Sequence, residues 1–255
     1  MSKERIEVLG CPVDNLSMNE TLEEIDKIIQ EGKPKQHVVV NAAKLVKLRE
    51  DKSLKEIISS CAIINVDGMP LVWVSRMFRK PLKERVAGID LMHQLVLHSA
   101  GEGYKPFFLG AKEEIVKKVV DIYREMLPDL KIAGYRNGYW KPEEENGIVK
   151  SIKEQNADIL FVAFGSPKKE IFLNKHLKTL DIPFVMGVGG SFDVVAGFTN
   201  RAPVWMQKVG LEWFYRFLQE PGRMWKRYLV TNSKFIFIVF KEYFRFIFRK
   251  KKKSS

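Results

Sequence analysis

Phe184-Val185-Met186-Gly187-Val188-Gly189-Gly190-Ser191-Phe192-Asp193 reads as a buried strand running into a glycine turn. Phe184 to Met186 are apolar throughout, as in a strand covered on both faces. Gly187, Gly189 and Gly190 follow, and without side chains a ligand can approach the backbone closely. The N–H groups of such a turn, or of a helix starting after it, can hold an anion such as a phosphate. Ser191 or Asp193 is placed to cap that helix. A tight turn that needs positive φ angles explains the same glycines, and both readings stay open. The spacing is not G-x-G-x-x-G, so the dinucleotide fingerprint is not met.

Upstream of this turn, apolar strands alternate with helices. Residues 5–9 and 36–41 read as strands. Between them Ser17-Met18-Asn19-Glu20 is a capping box, followed by Leu22, Ile25, Ile28 and Ile29 at helical spacing. Residues 42–48 and 54–60 read as helices, 62–66 as a buried strand ended by Asp67-Gly68, and 70–78 as a helix with Pro70 in its first turn. Glu84 to Gly88 is a loop, and Asp90 is expected to cap a helix to about His98. Strands are predicted at 105–109, 130–134 and 158–164, with helices at 113–126, 143–155 and 168–176. The turns Gly110-Ala111 and Gly165-Ser166-Pro167 follow two of those strands. The pattern predicts an α/β fold, a mostly parallel sheet with helices on both faces. Ligands bind at the carboxyl ends of strands in such folds, which selects Asn41, Asp67, Gly110, Gly165 and Gly187 to Ser191.

With 255 residues and 45% hydrophobic content, one large domain or a domain plus an appendage is expected. Cys11 and Cys61 lie in apolar surroundings and read as core thiols in a reducing compartment. The charged Met1 to Arg5 is not read as a signal peptide, and no apolar run is long enough for a membrane span. The net charge of +12 is concentrated at one end: residues 201–255 carry 14 Lys or Arg against three acids, and the other 200 residues 29 basic against 28 acidic groups. The division is therefore a 1–200 catalytic core and a 201–255 basic, aromatic-rich helical appendage that meets something anionic. In the appendage, Leu211 to Gln219 is amphipathic, Pro221-Gly222 breaks it, and Arg223 to Val230 is a short basic segment. Asn232-Ser233 is placed to cap a last helix, Lys234 to about Lys250, with Lys234, Lys241, Arg245 and Arg249 on one narrow stripe. Such a helix can lie on an anionic membrane surface, or pack on the body with its cations in water. Its aromatics sit among Ile and Val, which fits lipid rather than stacked bases, so nucleic acid is not the expected partner.

Asp67 is the leading catalytic candidate, a carboxylate at the mouth of the sheet that can act as a general base for a hydroxyl. An ordinary Asp-Gly turn, which is common, is the other reading of these two residues. Arg85 is either a phosphate or diphosphate clamp or a surface cation. Lys168 and Lys169 open a helix against its dipole, which an anionic ligand would explain and a solvated face would too. Asp193 can bind a ribose hydroxyl or cap a helix. The four histidines show no metal-ligand spacing, and Asp-x-Asp is absent from the sequence, which argues against a sugar nucleotide held through a carboxylate-bound divalent metal. GxSxG and Walker A loops are absent too.

Taken in order, the segments 65–70, 84–90, 109–111, 164–170, 187–193 and Arg201-Ala202-Pro203, with Gly210-Leu211-Glu212-Trp213 and Glu220-Pro221 after them, form a set. This set resembles the WecG/TagA/CpsF family of bacterial glycosyltransferases, from about residue 5 to about 230. The resemblance implies a Rossmann-like core with a C-terminal helical membrane-binding appendage that closes over the site. It implies an inverting, metal-independent transfer from a UDP-sugar to a polyprenyl-diphosphate-linked sugar, in teichoic-acid, common-antigen or exopolysaccharide synthesis. The enzyme would work peripherally at the cytoplasmic face of the membrane, with no cofactor beyond its substrates, and a homo-oligomer is left open.

By position, the resemblance makes Asp67 the base and places Arg85 on a diphosphate. Asn41, Gly110, Ala111, Gly165, Lys169, Gly187, Gly189, Gly190 and Asp193 become substrate-binding candidates. Arg216, Arg223, Lys226 and Arg227 would meet lipid diphosphate or headgroups. Two departures are visible: Val39-Val40-Asn41 stands where the teichoic-acid members read Thr-Pro-Asn, and Lys169 where they read Gln. Both lie near the sugar site, and they leave the donor open between N-acetylmannosamine, another hexose and a uronic acid. From the residues alone, a non-enzymatic membrane- or nucleic-acid-binding module and another Rossmann-type nucleotide-dependent enzyme are the alternatives.

Overall fold

A computed structural model describes residues 4–253. Apolar runs make the strands of one six-stranded sheet: β3 (Lys35–Val40), β4 (Ile63–Val66), β5 (Pro106–Gly110), β6 (Gly134–Arg136), β7 (Ile159–Ala163) and β8 (Phe184–Gly187). Every pairing is parallel, in the order β4-β3-β8-β7-β5-β6. Alternate residues of these strands face opposite layers. Phe108, Ile159, Phe161, Phe184 and Met186 point to one side, where they meet α1 (Met18–Glu31), α5 (Gly88–Glu102) and α6 (Glu113–Met126). Phe107, Leu109, Leu160, Val162 and Val185 point to the other, against α7 (Glu145–Lys153) and α8 (Lys168–Leu180). Beside that layer, Val38, Val40, Ile64 and Val66 pack with α2 (Ala42–Glu50), α3 (Lys52–Ser60) and α4 (Met69–Met77). Period-two burial on both faces is why these runs read as continuous apolar segments.

The capping box at Ser17 and Glu20 closes the start of α1: each side chain accepts from the other residue's backbone N–H. Ahead of it lies a separate antiparallel hairpin, β1 (Arg5–Val8) and β2 (Cys11–Asp14), turning at Leu9 and Gly10, both with positive φ. The sequence showed the first of these strands but not the second. Asp14 anchors the hairpin, accepting from the Arg5 guanidinium at 2.8 Å and from the Ile64 N–H at 2.7 Å.

Two expected elements change. The strand expected at 130–134 lies at Gly134–Arg136 instead. Leu130 is buried in the core, but the ladder begins at Gly134, where any β-carbon would come 2.8 Å from the Phe107 ring. In the appendage, α10 (Val204–Lys208) and α11 (Glu212–Gln219) precede one helix, α12 (Pro221–Lys253). Pro221 sits at its first turn, where a missing N–H costs nothing. Asn232 and Ser233 do not start a new helix. They are carried through because Phe235, Ile238 and Val239 pack into the α2–α4 layer and Lys234 pairs with Glu50 at 2.5 Å. The propensity cost of such residues, up to ~0.7 kcal/mol each, is smaller than that of leaving Phe235 in water. Arg49 of α2 meets Glu242 at 3.2 Å, and the Phe78 ring lies 5.5 Å from Phe246 and 6.1 Å from Tyr243.

Candidate active site

β4 delivers Asp67 to the carboxyl edge of the sheet. Its N–H extends the ladder by one bond, to Val40 O at 2.9 Å, and Gly68 turns the chain with φ +117. The carboxyl group accepts from the backbone N–H of Gly88. Its pKa is raised above the usual carboxylate range, chiefly by burial and then by the charge of Glu212, with Arg85 and the Gly88 bond opposing. A raised pKa makes the ionised group a better proton acceptor than an exposed carboxylate, as a general base requires.

Beside it, Arg85 donates to Glu212 at 3.1 Å and to Gln207 at 3.4 Å, and lies 3.6 Å from Asp90. Asp90 does not cap its helix. α5 starts earlier, at Gly88, and Asp90 in its first turn instead receives both outer nitrogens of Arg201. The Arg201 Nε stands 3.9 Å from Glu212 and has no hydrogen-bond partner. Two arginines and two carboxylates thus form one cluster against Asp67.

On the other flank is the glycine turn. Val188 N–H bonds to Val162 O, Gly189 takes φ +59, and the Ser191 hydroxyl donates back to Val188 O at 2.7 Å. Neither Ser191 nor Asp193 caps α9 (Ser191–Val195), which begins after Gly190 without a side-chain cap. Cations of this chain fill the space the glycines leave. A β-carbon on Gly187 would come 2.7 Å from the Lys169 stem, one on Gly189 3.3 Å from its Nζ, and one on Gly190 3.1 Å from an Arg216 nitrogen and 3.7 Å from Asp193. The appendage therefore reaches the core site through Arg216 of α11. Burial, and then Lys44, lower the Lys169 pKa to about 8, while Glu170 and Asp67 pull it upward.

Beneath Lys169 lies a buried ion pair that the sequence did not single out. Lys44 donates to Val39 O at 2.6 Å and meets Glu170 at 2.7 Å, with side chains 5% and 2% exposed. Lys169 stands 3.7 Å from the same Glu170. One carboxylate thus serves two ammonium groups. The sequence showed two cations and an acid at a helix start, but not that Lys44, far away in the chain, completes the group.

The remaining candidates separate. Asn41 caps α2, accepting from the Lys44 N–H at 3.0 Å. Gly110 and Ala111 end β5, two strands from β8, and the missing side chain of Gly110 admits the Ala163 backbone, which would lie 2.9 Å from a β-carbon there. Gly165 is exposed with open space around it. Val39 turns its side chain toward Gly88, 3.4 Å from where a β-carbon would stand, close to the Asp67 carboxyl group. Lys226 is exposed, with its ammonium over the Trp225 ring. The side chains of Arg223, Arg227 and Arg249 to Lys253 lie outside the described residues.

A family model described as "Glycosyl transferase WecG/TagA/CpsF family" matches residues 6–249. A curated protein of Bacillus subtilis (strain 168), "N-acetylglucosaminyldiphosphoundecaprenol N-acetyl-beta-D-mannosaminyltransferase", is 36% identical over 193 residues, 76% of this chain and 74% of that protein.

Proposed function

The chain belongs to the WecG/TagA/CpsF family of glycosyltransferases, and on that premise we propose that it moves a sugar from a UDP-sugar to a polyprenyl-diphosphate-linked sugar, with inversion and without a metal ion. The observation that carries this reading is Asp67, a half-buried carboxyl at the strand ends flanked by Arg85 on one side and Lys169 on the other. The acceptor hydroxyl gives its proton to Asp67 as its oxygen bonds to the anomeric carbon. The bond from that carbon to the β-phosphate oxygen breaks, and the electron pair leaves on UDP. A single displacement inverts the anomeric centre. The charge developing on the leaving diphosphate falls to Lys169, Arg216 and the glycine-turn N–H groups, the cations this site offers in place of a metal.

The test is transfer by purified protein from a panel of UDP-sugars to a short-chain polyprenyl-diphosphate-sugar, in chelator, with anionic vesicles present and UDP release as the readout. Turnover with one donor supports the reading. Silence across the panel rejects the UDP-sugar donor. Val39 and Lys169 alter the sugar side, so the donor is sought among N-acetylmannosamine, other hexoses and uronic acids.

Lys169 supplies a pH signature. Protonated below about 8, its ammonium should hold an anionic oxygen of the donor, so UDP affinity should fall between pH 7 and pH 9. Calorimetry on Lys169→Gln should show weaker binding at pH 7 and no such fall. A pH step that survives in the variant would remove Lys169 from the site.

We propose that the outer face of the appendage lies on a membrane surface, while its inner face makes the packing on the body that the sequence left as the alternative reading. One packs on the body through Phe235 and Ile238. The other exposes Phe237, Phe240, Phe244 and Phe248, each more than half accessible and at helical spacing. Among the described residues no helix is long and apolar enough to cross a membrane. The basic stripe lies at the border, since Lys234 meets Glu50, and Arg245 and Arg49 share Glu242. Deleting residues 231–255 would strip Phe235 from the core, so substitution of the outer face is the cleaner test. Phe237, Phe240 and Phe244 all changed to Ser should lower sedimentation with anionic vesicles at least tenfold while the melting temperature holds. Unchanged sedimentation would reject the membrane role of this face.

A further inference from the structure

We infer that Arg85 and Arg201 form one diphosphate-binding site, and that the carboxylate of Glu212 holds its place until a diphosphate displaces it. The inference rests on the reading that substrates carry a diphosphate, and adds Arg201 and the exchange. Both guanidiniums converge on Glu212, Arg85 at 3.1 Å and Arg201 Nε at 3.9 Å. The other carboxylate, Asp90, is differently held: it takes the two outer nitrogens of Arg201 side by side, a paired contact that fixes that guanidinium. This leaves Arg201 Nε buried, without a hydrogen-bond partner, and facing the Glu212 side. Arg85 is 13% exposed and positioned from three directions, by Gln207, Asp90 and Glu212.

Glu212 is the movable member. It opens α11, outside the sheet, and its side chain is 38% exposed. It also presses a like charge toward Asp67, the base. Three carboxyl groups around two arginines leave the cluster short of cations, and a negatively charged side chain beside the base is tolerated only while the arginines hold it. A diphosphate offers oxygens to both guanidiniums at once, including the unfilled Nε, in a geometry a single carboxylate does not match. Removing Glu212 from Arg85 loosens the start of α11, the helix whose Arg216 lies over Gly190. Diphosphate binding and the Glu212 contact therefore compete, and by reciprocity each weakens the other by the same factor.

Binding of inorganic diphosphate, measured by calorimetry at constant ionic strength on the full chain, tests this. An internal occupant lowers apparent affinity by the fraction of molecules in which the site is open. Glu212→Gln, which keeps shape and loses charge, should therefore bind diphosphate about five- to tenfold more tightly. Arg201→Gln should bind at least tenfold more weakly. A merely structural Glu212 predicts equal or weaker binding in Glu212→Gln, and that result would overturn the inference. Wild-type protein gives a second readout that no variant's folding affects: amides 211–219 should exchange hydrogen faster at saturating diphosphate. Unchanged or slower exchange would reject displacement.

Competition identifies the source. Displacement of the bound diphosphate by UDP assigns the site to the donor. Retention with UDP, and displacement by a short-chain polyprenyl diphosphate, assigns it to the acceptor. Displacement by neither overturns a substrate role. Tighter diphosphate binding in Glu212→Gln, with no transfer from any UDP-sugar, would reject the donor reading and leave this site standing.

Discussion

Asp67→Asn is expected to lower the transfer rate by ~10²–10⁴, the usual contribution of a positioned general base, with the fold retained. Asparagine keeps the shape and can still accept from the Gly88 N–H, but its neutral amide is too weak a base to take the acceptor proton. The wild-type rate should climb with pH along an acid limb placed above the ordinary carboxylate range, because burial and Glu212 raise the Asp67 pKa. The variant should lose that limb. Stability should move the other way. A carboxyl whose folded pKa exceeds its unfolded value binds more protons in the folded state, so ionising it as pH rises weakens the fold. At a pH above the folded pKa of Asp67, where wild type carries that strain, Asp67→Asn should melt no lower than wild type. Near-full turnover in the variant would dismiss Asp67 as the base, and a large drop in melting temperature would make any rate loss a folding effect.

Glu170→Gln should produce the largest loss of stability, ~3–5 kcal/mol, the range for breaking a buried ion pair from one side. For a chain of this size that corresponds to a fall in Tm of order 10 °C. Lys44 and Lys169 share this one carboxylate in the interior, and removing its charge leaves two ammonium groups with only neutral acceptors, the Val39 carbonyl and the new amide oxygen. Burial alone would raise the Glu170 pKa, but Lys44 and Lys169 outweigh it and the net shift is downward. Its stabilisation is therefore present above the unfolded carboxylate pKa and is lost as pH falls through the folded one. The wild-type advantage over the variant should shrink on acidification. Equal melting curves at neutral pH would show that the pair is not needed for the fold.

The helical boundaries show where sequence reading succeeds and where it stops. Ser17 and Glu20 mark the start of α1 because a capping box is local chemistry. Asp90 and Ser191 sit where caps are plausible, yet one pairs with Arg201 and the other bonds back to Val188. A side chain that can satisfy a helix end can satisfy a distant partner as well, and only the partner's position decides. Asn232-Ser233 failed as a boundary for the same reason: Phe235 buried against α2 outweighs the local preference to stop.

What the sequence determined by itself was the α/β class, the strand ends worth inspecting, Asp67 at one of them, and a neutral body with a basic, aromatic tail. These follow from periodicity and from residue types set a few positions apart. It took the folded chain to reveal that Lys44 and Lys169 share Glu170, that Arg201 joins Arg85, and that Glu212 stands between those arginines beside Asp67. Charged groups more than a hundred residues apart in the chain carry no pattern that spacing can reveal. They become one electrostatic system only when a parallel sheet and its covering helices bring them within a few ångströms, where burial makes each charge depend on its neighbours.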